Sequence, residues 1–170
     1  MHMYRSARKQ SSKRGGSVMG CIFCKIVAGA EPCHRIWEDE EHLAFLTIYP
    51  NTLGASVVIT KEHCTSYAFD LSEDRLTRLV LAAKKVGKLL DERLPGVGRT
   101  GLVLEGFGVD HAHAKLFPMH GTGGMKVWTP ILSTVKTVFT KYEGYLCSNG
   151  GPRADDAELA KLAALIRGKP

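Results

Sequence analysis

The most informative segment of this 170-residue chain occupies positions 110–120 and reads DHAHAKLFPMH. Successive side chains of a β-strand point to opposite faces of the sheet. A strand here places four residues on one face, namely His111, His113, Lys115 and Phe117. The residues between them are alanines and a leucine, which suit packing beneath a helix. The polar face favours a cleft, because burying two imidazoles and an ammonium without partners would cost free energy.

The polar face of this strand predicts chemistry on a phosphorylated ligand. A neutral imidazole can attack phosphorus and form a phosphoramidate bond, which makes His113 the candidate nucleophile. Lys115 supplies positive charge for phosphate oxygens and disfavours protonation of the neighbouring imidazoles. A single histidine in such a strand would more simply be a solvated side chain of an edge strand. The H-x-H-x-K pattern beside a small apolar face favours the functional interpretation.

The rest of the chain predicts an α+β fold. Alternating and β-branched segments predict a mainly antiparallel sheet of about five strands, at residues 34–39, 42–48, 55–60, 101–105 and 109–117. Helical periodicity predicts a short N-terminal helix, one long packed helix that ends before Pro95, and a C-terminal helix at residues 154–167. Asp70 and Glu73 resemble a capping box at the start of the long helix. We expect His34 and His42 on the surface of the first hairpin.

The net charge of +6 resides almost entirely in the N-terminus. The chain has 23 basic and 17 acidic residues, and residues 1–20 contain five of the basic ones and no acid. Without those five, 18 basic and 17 acidic residues remain, so the folded body has a net charge of +1. Residues 1–20 also lack an apolar pattern, which predicts a disordered basic tail. A nucleic-acid-binding surface over the whole body is therefore not expected.

Hydropathy and cysteine content predict an intracellular protein without a membrane partner. No apolar run reaches the roughly 18 residues of a membrane span, and no apolar region follows the basic N-terminus as in a secretory signal. Five cysteines, an odd number, argue against a disulfide framework and favour a reducing compartment. The cytoplasm is the expected location. The alternative is mitochondrial, because the N-terminus is rich in arginine and serine and free of acid.

Cys21 and Cys24 form a C-x-x-C pair, which fits either a redox pair or half of a zinc site. A thioredoxin-type setting is missing, because no strand precedes the pair. Zinc prefers four sulfur or nitrogen ligands in tetrahedral arrangement, and His63 follows the third predicted strand. Two reduced, half-buried structural cysteines are the alternative.

These motifs together resemble the histidine triad (HIT) family. Residues 110–120 are similar to the family motif His-x-His-x-His, commonly followed by proline. Upstream segments resemble the N-terminal half of the family in order and spacing, at residues 21–26, 38–39, 44–46, 54 and 57–63. The resemblance implies a HIT-like domain core over residues 21–120. Residues 121–170 are then a C-terminal extension that packs on the core or on a dimer interface.

The resemblance also implies an activity. His113, the middle histidine, would attack the α-phosphorus of a nucleotide to form a nucleotidyl-histidine that water resolves, and His111 would orient it. Lys115 stands at the third histidine position, where a phosphate contact is implied. Family substrates include dinucleoside polyphosphates and nucleoside phosphoramidates. We therefore expect a nucleotide hydrolase or nucleotidyl transferase, usually a homodimer in this family.

Candidate substrate-binding residues follow from the same resemblance. Thr47 stands where many relatives have an aspartate that binds ribose hydroxyls. Phe107 and Gly108 stand where relatives often place glutamine and serine, and the backbone N–H of Gly108 could serve in their place. The remaining candidates are Asn51, Ile36 and Phe23.

For a cofactor, the resemblance implies structural zinc. A subset of bacterial-type HIT proteins binds zinc through the cysteine pair, one upstream histidine and the first triad histidine. All four positions are present here, as Cys21, Cys24, His63 and His111. Cys64, next to His63, is an alternative ligand.

Two other functions stay open at this point. A HIT-fold nucleotide-binding module that has lost turnover would explain Lys115, Thr47 and Phe107 at positions where the family has other residues. A zinc-stabilised nucleic-acid adaptor would act through the basic tail, although the nearly neutral body argues against a nucleic-acid partner.

Overall fold

Five strands and three α-helices make up the part of the chain that the computed structural model describes, residues 20–125, 127–128, 130 and 150–168. The strands are β1 (His34–Glu38), β2 (His42–Leu46), β3 (Ser56–Thr60), β4 (Val97–Val103) and β5 (His113–His120). The helices are α1 (Ile22–Val27), α2 (Glu73–Arg93) and α3 (Asp156–Arg167). The predicted basic tail lies outside the described residues, apart from Gly20.

The strands form one sheet in the order β1-β2-β3-β5-β4, and every neighbouring pair is antiparallel. The long helix α2 connects β3 to β4, so β5 enters the sheet between two strands that precede it in sequence. This architecture confirms the predicted α+β fold, with its antiparallel sheet and one long helix.

The two faces of the sheet have different coverings. Small and branched residues of β2, β3 and β5 pack with α2 and α3 into the larger core, among them Ala44, Val58 and Ala114, all completely buried. The opposite face of the same strands packs against α1 through a smaller cluster that includes Phe23 and Phe45. The alternation in β5 therefore directs alanine toward the long helix and the polar side chains toward the side that bears α1.

The start of α2 differs from the predicted capping box. Ser72 is the N-cap, and its side chain accepts a hydrogen bond from the backbone N–H of Arg75 at 3.4 Å. Asp70 instead ends a short 3-10 turn, and Leu71 and Ser72 after it have extended backbone. The capping-box prediction was wrong because Ser72, two residues further on, is an equally favourable N-cap residue and accepts the N–H of Arg75.

The last two strands are shifted from their predicted positions. β5 begins at His113 and continues through Pro118, whereas the segment before it, which contains His111, is bent. Pro118 is tolerated because its carbonyl faces away from β4 and accepts a hydrogen bond from Thr52 Oγ1 at 3.2 Å. An N–H at this position would also point away from β4. The pairing of β5 with β3 has already ended there, so the proline costs no hydrogen bond between strands.

The C-terminal helix α3 packs on the same chain, against β1, β2 and α2. Asp155 caps it by accepting from the N–H of Glu158 at 3.0 Å, and Gly168 ends it in a left-handed conformation with φ of +70°. Leu159, Ala163 and Ile166 face the larger core. The segment just before α3 is joined to the chain after β2, because the N–H of Ala154 donates to the carbonyl of Ile48 at 2.8 Å.

None of the helices in the described part of the chain has both the length and the apolar character that crossing a bilayer requires.

Packing of α2 against the sheet should be the main source of stability. We expect Leu79→Ala to lower the free energy of unfolding by about 2–5 kcal/mol, because Leu79 is completely buried and its truncation leaves a cavity. Leu81→Ala, on the solvent side of the same helix and 49% exposed, should change it by less than about 0.5 kcal/mol. Urea denaturation measures both variants. Equal losses would contradict the assigned face of α2.

Candidate active site and metal centre

His113 opens strand β5 and is 3% exposed. Its Nδ1 lies 2.6 Å from the backbone carbonyl of His111, and the carbonyl can only accept, so Nδ1 bears the hydrogen in this pair. In the neutral ring the lone pair is then on Nε2. Burial lowers the pKa of His113, and Lys115 adds to the effect, while hydrogen bonds to the backbone of His111 and Phe107 oppose it. The neutral, nucleophilic ring is therefore favoured.

The short helix α1 fixes the positions of both imidazoles. The Phe23 ring makes edge-to-face contacts with His111 and His113, with ring centroids 5.7 and 5.6 Å apart. Phe23 also packs edge-to-face on Phe45 of β2. One aromatic side chain thus separates the two histidines from solvent on the α1 side and limits the rotation of both rings.

Lys115 forms an ion pair with Glu105, on the segment between β4 and β5. The Glu105 side chain is 9% exposed and that of Lys115 is 21% exposed. The positive charge at the third triad position is therefore balanced by a nearly buried carboxylate. Glu105 was not predicted as a site residue. It follows β4 and belongs to no motif, and its neighbours in the sequence do not indicate that its side chain faces β5.

A cleft of about 840 Å³ lies in front of His113. Five of the predicted site residues line it besides His113 and Lys115, namely Phe23, Thr47, Asn51, Phe107 and Gly108. Apolar side chains of α1, β2 and β3 form much of the wall: Ile22, Ile26, Phe45, Ile48 and Val57. This combination of an apolar wall and few polar groups is typical of a small-molecule site.

Ile36 does not belong to this cleft. It is 2% exposed and lies in the larger core with residues of α2 and α3, on the opposite face of the sheet. The resemblance to the family made Ile36 a candidate substrate-binding residue. In the structure the register between β1 and β2 shifts between Arg35 and Trp37, and the Ile36 side chain packs into the core.

The two hairpin histidines are not surface residues, contrary to expectation. His42 is 3% exposed, and its Nδ1 lies 3.2 Å from Asp39 Oδ1. His34 lines the cleft, and its Nε2 lies 2.9 Å from Oδ1 of Asp156 in α3. The sequence could not show the second contact, because 122 residues separate the two partners.

Four side chains next to the cleft could hold a metal ion. The ligand atoms of Cys21, Cys24, His63 and His111 all lie within 4.8 Å of one another. His111 Nδ1 is 3.4 Å from Cys21 Sγ, 3.6 Å from Cys24 Sγ and 3.3 Å from His63 Nδ1. Tetrahedral zinc with bonds of about 2.3 Å to sulfur and about 2.05 Å to nitrogen requires S–N separations of about 3.6 Å and N–N of about 3.3 Å. The four residues fit such an ion.

Second contacts orient these ligands. The Nε2–H of His111 donates to the carbonyl of Thr60 at 2.7 Å, which leaves the lone pair on Nδ1, toward the cysteines. His63 lies on a segment held by Arg75 of α2, whose guanidinium donates to both oxygens of Glu62 at 2.7 Å. The same arginine contacts Cys64 Sγ, so Cys64 points toward α2 and lies outside the cluster. Burial and the neighbouring Cys21 raise the pKa of Cys24 to about 11, so the Cys24 thiol needs a cation to become a thiolate near neutral pH.

Comparison with known proteins agrees with this geometry. The profile of the HIT domain matches residues 28–121. Adenosine 5′-monophosphoramidase hnt1 of Schizosaccharomyces pombe is 38% identical over 101 residues, which are 59% of this chain and 74% of the relative.

Two solved structures have the same fold. A Zn-bound histidine triad family protein from Mycobacterium smegmatis has a TM-score of 0.62 at 22% identity, with 89% of this chain and 94% of that chain covered. A HIT family protein from Bacillus anthracis has a TM-score of 0.54 at 29% identity, with 68% and 82% covered. The family profile matches more than half of the chain, so this protein belongs to the HIT family.

Proposed function

We propose that this protein is a nucleotide hydrolase or nucleotidyl transferase that works through a nucleotidyl-histidine at His113. The observation that supports this most directly is the orientation of His113: its Nδ1 is bound to a backbone carbonyl, and the ring lines a cleft large enough for a nucleotide. HIT family members are nucleotide hydrolases or transferases, and the fission yeast relative is named a monophosphoramidase.

In the proposed reaction, Nε2 of His113 is the attacking atom, because Nδ1 bears the hydrogen. Nε2 attacks the α-phosphorus and forms a P–N bond while the bond from phosphorus to the leaving group breaks. The leaving group departs with the electron pair and takes up a proton from solvent, and the water or other acceptor that later attacks phosphorus returns one to solvent. The imidazolium that forms is stabilised by the hydrogen bond from Nδ1–H to His111. Water, or another acceptor in a transfer reaction, then displaces Nε2 from phosphorus and restores the neutral ring.

The charges of the site favour nucleoside phosphoramidates over dinucleoside polyphosphates. Among the described residues that line the cleft, Lys115 and Arg153 are cationic, whereas Glu31 and Asp156 are anionic. Glu105 adds a third carboxylate beside Lys115. With no net positive charge, this arrangement suits a substrate with one negative charge at the reacting phosphorus better than a multiply charged polyphosphate chain.

We further propose that zinc is the metal held by Cys21, Cys24, His63 and His111, in a structural role. The ligand types and separations support zinc. When bound, zinc would supply a positive charge that keeps the thiols deprotonated and His111 neutral. His111 itself then acts on the reaction only through its backbone carbonyl, which orients His113.

A homodimer also stays a prediction. β4 is an outer strand of the sheet, and its apolar side chain Leu102 is 42% exposed. An open strand edge with apolar side chains beside it is a common place for a second subunit to pair.

A nucleotide-binding module without turnover is the second candidate. The Lys115–Glu105 ion pair supports it, because a lysine tied to a carboxylate cannot relay a proton as a third histidine would. The nucleic-acid adaptor depends on the basic tail, which lies outside the described residues.

Trapping tests the proposed nucleophile. Brief incubation with adenosine 5′-phosphoramidate should raise the intact mass by one adenylyl group, and His113→Ala should abolish both the adduct and turnover, because the proposed attacking nitrogen is lost. His120→Ala is the matched control. That histidine lies on the same strand but bonds the Leu53 carbonyl outside the cleft, so the adduct should persist.

Binding of the nucleotide without adduct or turnover in the folded wild-type protein would overturn the enzymatic proposal and favour the binding module. An adduct that survives in His113→Ala would place the nucleophile elsewhere.

Glu105→Gln tests the charge argument. Removing this carboxylate leaves the Lys115 charge uncompensated in a shielded site, so the ratio of kcat/KM for diadenosine polyphosphate over adenosine phosphoramidate should rise about tenfold. Glu92→Gln, an exposed acid on α2 that does not line the cleft, should leave the ratio unchanged. A ratio that stays constant or falls in Glu105→Gln would contradict the argument.

Metal analysis tests the zinc site. Purified protein should contain about one zinc per chain, and Cys24→Ser should contain less than about a tenth of that and melt at a lower temperature. Cys64→Ser should keep its zinc, because Cys64 lies outside the four-residue cluster. Full zinc occupancy in Cys24→Ser, or none in the folded wild-type protein, would show that the cluster is not a zinc site.

A further inference from the structure

The C-terminal segment forms one wall of the cleft. Gly150, Arg153 and Asp156 line it together with residues of the domain core. This wall is fixed by main-chain contacts. A Cβ on Gly151 would lie 2.5 Å from the carbonyl oxygen of Pro50, and Ala154 bonds the carbonyl of Ile48. Segment 150–156 is therefore seated closely against the loop that follows β2.

A polar cluster lies on this wall. Asp156 Oδ1 is 2.9 Å from His34 Nε2, and its Oδ2 is 2.8 Å from Arg153 Nη2. Arg153 Nη1 donates to the carbonyl of Ala154 at 3.2 Å. The Arg153 guanidinium, followed by His34, lowers the pKa of Asp156, so this side chain is a carboxylate at neutral pH. Three segments of the chain, β1, α3 and the loop before α3, thus meet at one carboxylate.

The chemistry of this cluster matches hydroxyl groups. A carboxylate has about four acceptor positions and a guanidinium five donors, so each keeps capacity after the contacts above. A hydroxyl group donates and accepts, and it can satisfy both neighbours. A phosphate only accepts and would be repelled by Asp156 and by Glu31, which also lines the cleft. An ammonium group only donates and could not accept from the remaining guanidinium donors.

The ribose hydroxyls of a nucleotide fit this cluster, and Thr47 does not compete for them. The resemblance to the family implies an aspartate for ribose hydroxyls at Thr47, but the Thr47 hydroxyl is short and already accepts the N–H of Tyr49 at 3.2 Å. Thr47 and Asp156 line the same cleft. Phe23 and Phe45 also line the cleft and offer an apolar surface for the base.

We propose that Asp156, positioned by Arg153 and His34, binds the ribose hydroxyls of the nucleotide, so that the C-terminal extension supplies the sugar specificity of the site. This proposal rests on the proposed function only in its assumption that the cleft binds a nucleotide. It predicts that the protein selects ribonucleotides over nucleotides without sugar hydroxyls.

Calorimetry with two product-like probes tests this without turnover. Wild-type protein should bind AMP at least about tenfold more tightly than 2′,3′-dideoxy-AMP, since hydrogen bonds to a charged group are lost with the hydroxyls. Asp156→Ala should weaken AMP binding to within about twofold of the dideoxy probe, whose own affinity should not change. Glu158→Ala is the matched control, since Glu158 lies on the same helix, bonds Lys161 and does not line this cleft. It should keep the full preference for AMP.

A merely structural effect of Asp156→Ala would weaken both probes equally and would overturn the proposal. So would a preference for AMP that persists in Asp156→Ala, equal binding of both probes by wild-type protein, or no binding of either. The proposed enzymatic function fails separately: if the ribose preference depends on Asp156 but no adduct forms at His113, the sugar site stands and the nucleotidyl-histidine does not.

Discussion

His111 joins the two halves of the site through three hydrogen-bonding groups. Its Nε2–H is held by the Thr60 carbonyl, its Nδ1 faces the two cysteines and His63, and its own carbonyl receives the Nδ1–H of His113. Each contact restricts the next, because a ring with one nitrogen fixed as donor must offer the other as acceptor. The position of His113 in the cleft therefore depends on how firmly residue 111 is anchored, and its contacts with Cys21, Cys24 and His63 are part of that anchor.

The two faces of strand β5 have different roles in this geometry: one packs in the core and the other lines the cleft. On one side, Ala114 and Leu116 of β5 pack tightly against the larger core. On the other side, His113 and Lys115 line the cleft. Because the alanine face permits close packing of α2, the backbone of β5 is held rigidly, which a nucleophile needs if its nitrogen must meet phosphorus at a fixed distance.

Local patterns in the sequence predicted most of this arrangement. Alternation in β5, the β-branched residues of β3 and the periodicity of α2 gave the fold, and resemblance to the HIT family brought together the four metal-binding candidates. The errors came from interactions between distant residues. Ile36 was predicted to bind substrate but packs into the larger core. Pro118 is tolerated within β5 because the pairing with β3 has already ended there. His34 and Asp156, which are in contact, are 122 residues apart in the sequence. Glu105 was missed because its pairing with Lys115 depends on how β4 meets β5.

The account depends most on the state of one ring, neutral His113 with its hydrogen on Nδ1. A long-range proton–nitrogen correlation spectrum of the ¹⁵N-labelled protein at neutral pH reports this directly. We expect a protonated Nδ1 and an unprotonated Nε2 for His113, with the Nδ1 hydrogen protected from exchange by the carbonyl of His111. A spectrum showing the hydrogen on Nε2, or a fully protonated ring, would contradict the account, because neither form has the lone pair on Nε2 that attacks phosphorus.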